Sequence, residues 1–136
     1  MAAAIIDVYR ALDQWAPFDT QMDFDNAGFL VGRGEREVRR VLVSLDITEA
    51  VAAEAGRWGA ELIVSHHPVI FHPVKALTDQ SATGRVLLAL AEGHMAAICA
   101  HTNLDAVMEG VNCCLARTLE LSDLEQLHQD GLVELL

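Results

Sequence analysis

Three short apolar runs limit the fold of this chain more than any other feature. They are Val38 to Leu45 (VRRVLVSL), Leu62 to Val64, and Met95 to Ala100 (MAAICA), and they alternate with segments of helical spacing. Val51, Ala55 and Trp58 mark one helical face that ends at Gly59, with Thr48 as its N-cap. Val86, Leu87, Leu90 and Ala91 mark a second, stopped by Gly93. Val111, Cys114, Leu115, Thr118 and Leu119 mark a third, with Gly110 before it. The order β-α-β-α-β-α predicts an α/β (α+β) fold, with a mostly parallel or mixed sheet and crossover helices on its faces.

The flanks fit that frame. Ile5, Val8, Tyr9 and Leu12 predict an amphipathic helix over 4–14, with Pro17 just past its end. Residues 18–37 read as mostly irregular, with Asp23, Asp25, Asn26, Gly28, Gly32 and Gly34 as turn formers and a short strand at Phe29–Val31. Residues 68–80 read as a loop, and Leu132–Leu136 as a strand.

At 136 residues the chain has the length of one domain. Its net charge of −11 argues against a partner read through nucleic-acid phosphates, which needs clustered Lys and Arg. No apolar run approaches the roughly 18 residues of a membrane-spanning helix. The first residues carry no basic n-region of a signal peptide, so the expectation is a cytoplasmic protein without a membrane partner. Cys99, Cys113 and Cys114 are odd in number and two are adjacent, a poor disulfide framework.

In open sheets with crossover helices, ligand sites lie beyond the carboxyl ends of the strands. Three runs here end in polar groups: Asp46, then His66 and His67, then His101 with Asp105. Parallel strands would bring all three clusters to one edge. Neutral imidazole and carboxylate ligands suit Zn, Fe, Mn, Ni or Co. Successive side chains of an extended segment point to opposite sides, and Pro68 biases His67 to extended conformations. That geometry predicts that His66 and His67 reach two ions, one each, with Asp105 bridging. Three histidines and one aspartate fall short of the ligands two ions need. Each part has a plainer reading alone. A lone buried His is more often a hydrogen-bonded core residue than a ligand, and a strand-end Asp such as Asp46 is more often a cap or turn former. His72, His94 and His128 read as surface or loop histidines. Cys99 reads as a small buried residue, because nothing beside it would lower a thiol pKa.

Four stretches resemble the NGG-interacting-factor-three-like family, also known as GTP cyclohydrolase type 2 homologues. They are Asp25–Gly32 (DNAGFLVG), Val41–Thr48 (VLVSLDIT), Glu61–Pro68 (ELIVSHHP), and His101–Asp105 (HTNLD) with Gly110-Val111-Asn112 after it. The resemblance implies a dinuclear divalent-metal site with His66, His67 and Asp105 as ligands, Asp105 bridging. It places His101 in or beside the metal shell, where it could also move protons catalytically. It further implies a homo-oligomer, hexameric in the family, and a small-molecule substrate such as a nucleotide. The sequence departs from the family at Phe24, where members usually carry Trp. It also lacks the His-x-x-x-Glu pair of the family's second lobe: His128 is followed four residues later by Leu132. The expectation is that residues 1–136 form the N-terminal lobe, that 128–136 start the second lobe, and that this chain alone turns over poorly. Two functions follow: part of a dinuclear metal-dependent hydrolase, or a metal-binding or scaffolding module without turnover.

Overall fold

The computed structural model describes residues 2–124, 126–129 and 132–135. A four-stranded sheet forms its centre. β2 (Gly28–Val31), β4 (Val41–Ser44), β5 (Leu62–Ser65) and β6 (Ala96–Cys99) lie in the order β2-β6-β5-β4. β4, β5 and β6 run parallel, and β2 is antiparallel to β6, so the sheet is mixed.

The helices cover both faces. α2 (Glu49–Trp58) and α3 (Ala82–Glu92) carry the β4–β5 and β5–β6 connections. Ala52, Ala55, Val86 and Leu90 pack with Ile63 and Ala97 on one face. α1 (Ile5–Trp15) covers the other, where Ile5, Val8, Tyr9 and Leu12 meet Leu62, Ala96 and Ile98. Neighbouring residues of β5 and β6 therefore enter opposite cores, as the period-2 strand geometry requires. Buried on both faces, these strands read as continuous apolar runs.

The helix ends are built as the sequence indicates. The Thr48 hydroxyl accepts from the Val51 amide at 3.2 Å, and Gly59 closes α2 in the left-handed region at φ 73°. Ser81 caps α3 in the same way through Gly84 N. At α1 the N-cap is Ala4, and the carboxylate of Asp7 accepts its amide at 2.9 Å.

The single run predicted at Val38–Leu45 is two pieces. β3 (Glu37–Val38) pairs antiparallel with β1 (Ala3–Ala4), and only Val41–Ser44 joins the main sheet. The carboxylate of Glu61 causes the break, accepting the amides of Arg39 and Arg40 at 3.0 and 2.9 Å. Those amides are thereby lost to a ladder. A single helical turn, α4 (Thr102–Asp105), follows β6 where the sequence suggested only a polar strand end, and α5 (Val111–Thr118) follows it. A hairpin of β7 (Gln126–Gln129) and β8 (Leu132–Leu135) completes the described chain. It bears out the strand at the C-terminal residues as far as Leu135, and Leu136 lies outside the described residues.

Candidate metal centre

The parallel register of β4, β5 and β6 brings their carboxyl ends level, with Ser44 opposite Ser65 and Ser65 opposite Cys99. Asp46, His66, His67 and His101 leave the sheet at this edge. The rings of His66, His67 and His101 converge there, with centroids 5.0 to 5.6 Å apart. One ligand atom from each lies within 4.8 Å of the other two. The rings of His66 and His67 thus face one space, where strand alternation would send them to opposite sides. β5 ends at Ser65 and the chain bends across both histidines, so the alternation of an extended strand does not apply.

Every imidazole has one nitrogen tied back to the protein. His66 Nδ1 lies 2.9 Å from the Ala100 carbonyl, His67 Nδ1 2.8 Å from Asp46 Oδ1, and His101 Nδ1 2.9 Å from Asp25 Oδ1. A carbonyl or carboxylate only accepts, so each Nδ1 carries the proton and donates it. In the neutral ring Nε2 is then the atom that keeps a free lone pair. Metal-ligating histidines are held in this way, with a second partner fixing tautomer and ring orientation. Asp105, at the end of α4, brings Oδ1 to 3.8 Å from His66 Nε2.

Asp46 proves to be neither cap nor turn former, since Thr48 caps α2 and Asp46 holds His67. Asp25 is the residue the sequence reading missed as part of the site. Its side chain is fully buried. It accepts from His101 Nδ1, from the Thr102 amide at 3.1 Å, from the Thr102 hydroxyl, and from the Asn26 amide at 2.7 Å. Burial pushes its carboxyl pKa up. The hydrogen bonds from Thr102, His101 and Asn26 outweigh that and hold it below the usual carboxylate range. The signal available in the sequence was Asp25-Asn26 itself, an adjacent pair too short and polar for a core. Asn26 completes the cross-link by donating to the Ile70 carbonyl at 2.6 Å, which ties the 68–80 loop to the site.

Asn103 is the second hidden structural residue. Fully buried, it accepts from the His101 amide at 2.9 Å and donates to the Ala16 carbonyl at 2.7 Å. It fixes the turn that carries His101 and Asp105. Gly110 lets that turn close, because a Cβ there would stand 1.8 Å from the Leu104 carbonyl oxygen. Cys99 is buried as expected, donates to the His66 carbonyl, and has its thiol pKa pushed up to about 12 by burial and by Asp25. Beside His67 and Asp46 an open hollow of about 470 Å³ runs past the amino ends of α2 and α3, the size of a small-molecule site. Among the described residues no helix is long and apolar enough to cross a membrane.

The donor set fits a divalent cation of the imidazole- and carboxylate-preferring kind: three neutral imidazoles with oriented Nε2 atoms, and a carboxylate nearby. Comparison with known proteins agrees with the fold. Residues 3–133 match the family described as Duf34/NIF3 (NGG1p interacting factor 3). A relative from Halalkalibacterium halodurans named GTP cyclohydrolase 1 type 2 homolog is 38% identical over 120 residues, which are 88% of this chain and 32% of the relative. A Helicobacter pylori protein named GTP cyclohydrolase 1 type 2 is 35% identical over 132 residues, 97% of this chain and 50% of that protein. Among solved structures, a hypothetical protein of Staphylococcus aureus superposes with a TM-score of 0.88 at 37% identity, covering 92% of this chain and 41% of its own. Reduced HcgD from Methanocaldococcus jannaschii gives 0.85 at 26% identity, covering 96% and 52%. The chain thus spans about a third to a half of the length of these relatives.

Proposed function

This chain belongs to the Duf34/NIF3 family, and from that premise we propose that His66, His67, His101 and Asp105 form a divalent-metal centre serving a hydrolase of nucleotides or related cyclic amides. The observation that supports it most is the tethering of all three Nδ1 atoms by Ala100, Asp46 and Asp25, which leaves Nε2 as the ligating atom of three rings that cluster in one space. The family resemblance extends the reading to two ions, Zn, Fe, Mn, Ni or Co, with Asp105 bridging. A divalent ion held there would supply a Lewis acid that polarises a carbonyl and lowers the pKa of water.

The chain's own residues do the rest. Asp46 and Asp25 hold two of the rings in the ligating tautomer, and their negative charge strengthens each imidazole as a donor. The hollow beside His67 offers room for a substrate. Standing beside the metal shell rather than in it, His101 would instead be the proton carrier, since it joins the buried Asp25 to the open edge. The GTP cyclohydrolase name of the relatives supports a nucleotide, attacked at its purine ring. Exposed Val43 on the edge strand β4 and Leu45 just past it, with Leu115 on α5 and Leu119 at its C-cap, support assembly into a homo-oligomer.

A second reading, a metal-binding or scaffolding module without turnover, is favoured by the donor count: three histidines and Asp105 leave two ions short of protein ligands. Hydrolysis of GTP by the metal-loaded chain separates the two. Metal-dependent release of ring-opened product, lost in His101→Gln and Asp105→Ala, supports the hydrolase. Bound metal without turnover selects the module. Turnover indifferent to metal and to both substitutions contradicts the centre.

A further inference from the structure

The opposite edge of the sheet holds a second concavity. It lies about 16 Å from the histidine cluster, from Ala96 to His101 along β6 at about 3.3 Å per residue. It encloses about 390 Å³, within the range of small-molecule sites. Val31 and Ala91 give it apolar surface, over a floor formed by the buried Ile5, Met95 and Ala96, and Arg33 and Arg36 add its cationic lining with His94 beside them.

The backbone around it is specialised. The β2–β6 register slips between Phe29 and Val31, a bulge that redirects the chain leaving β2. Gly32 follows at φ 114°, and a Cβ there would stand 2.6 Å from Ala96 Cβ, so only glycine lets this loop lie on β6. His94 stands at φ 54°, an uncommon setting for a side-chain-bearing residue and one that favours functional sites. Its carbonyl accepts from the Arg36 guanidinium, which fixes that arginine across the hollow.

The charges point to the ligand. Acids outnumber Lys and Arg by 20 to 9 in this chain. Arg10, Arg39, Arg85 and Arg117 each pair with a carboxylate. Arg33, Arg36, Arg40, Arg57 and Lys75 have no carboxylate within 4.0 Å among the described residues, and of these Arg33 and Arg36 border the same hollow. Guanidinium forks match the oxygens of carboxylate and phosphate. We infer that this hollow binds a small amphipathic anion, with Arg33 and Arg36 on its head group and the Val31–Ala91 surface on its apolar body. The head group is a carboxylate or a phosphate monoester, since both offer the paired oxygens that a guanidinium takes.

The test is an NMR titration of the ¹⁵N-labelled full chain with octanoate, octyl phosphate, octylammonium and inorganic phosphate. The expected result is saturable shifts confined to amides 31–36 and 91–96, with a Kd of about 1 mM or tighter for one eight-carbon anion. Whichever of octanoate and octyl phosphate binds more tightly names the head group. Arg33→Gln and Arg36→Gln each weaken it about three- to fivefold, as a partly exposed charge pair would. The Arg33 guanidinium makes no hydrogen bond within the described structure, so its variant reads binding rather than folding. His66→Ala leaves the affinity unchanged, which separates this site from the metal centre. No shifts at millimolar probe, equal binding of octylammonium, or undiminished binding in Arg33→Gln would overturn the inference.

Discussion

Replacing Asp25 by Asn tests how far the metal centre depends on a residue that need not touch the metal. The substitution keeps the shape and removes the charge. One oxygen must become an NH₂ group, and every neighbour on that carboxylate is now a donor: His101 Nδ1, the Thr102 amide and hydroxyl, and the Asn26 amide. If the NH₂ replaces Oδ2, the half-buried Thr102 amide is orphaned, at a cost of about 1–3 kcal/mol. If it replaces Oδ1, His101 can accept from it only by moving its proton from Nδ1 to Nε2, which removes the lone pair that faces the site. Either outcome weakens the centre. Loss of such a supporting partner costs about 10–100-fold in metal affinity. The expected result is a folded Asp25→Asn variant, less stable to urea by about 1–3 kcal/mol, with zinc affinity reduced about 10–100-fold in competition with a chromophoric chelator. Wild-type zinc affinity together with an unchanged urea midpoint in this variant would refute the tethering argument.

Other outcomes follow from single residues. The Asp25 carboxyl sits below its usual range when folded. Its contribution is therefore complete above the unfolded value of about 3.9 and is lost as pH falls through the lower folded value. Urea midpoints measured against pH should fall on the acid side in the wild type and fall less steeply in Asp25→Asn. Thr48→Ala removes the cap of α2 and should lower stability by about 1 kcal/mol in urea unfolding. Gly110→Ala drives a methyl into the Leu104 carbonyl and should cost about 1–3 kcal/mol, with metal affinity falling too, because the displaced turn carries Asp105.

The sheet and its helices were legible because each strand is a short apolar run and each helix a separate periodic stretch. The convergence of Asp46, His66, His67 and His101 was legible too, since parallel strands put their carboxyl ends on one edge. What sequence could not supply was contact between distant residues. The break at Arg39–Arg40 depends on Glu61, some twenty positions away. Asp25 joins His101 across 76 positions and Asn103 joins Ala16 across 87, and in sequence they read as a turn former and one polar residue of a short cluster. Strand alternation misled at His66–His67 because it presumes an extended chain, and the backbone bends there to let both rings face the same space. His94 is the exposed turn histidine that the sequence indicates, while its left-handed backbone and its place in the Arg33–Arg36 hollow are three-dimensional facts.

The central claim is that this histidine cluster holds a divalent metal, and elemental analysis of chelator-free protein tests it most directly. The account predicts near-stoichiometric Zn, Fe, Mn, Ni or Co per chain, falling sharply in His67→Ala while the far-ultraviolet circular dichroism stays that of the wild type. Fully folded wild-type protein that carries no metal and takes up none from added zinc or manganese would contradict it.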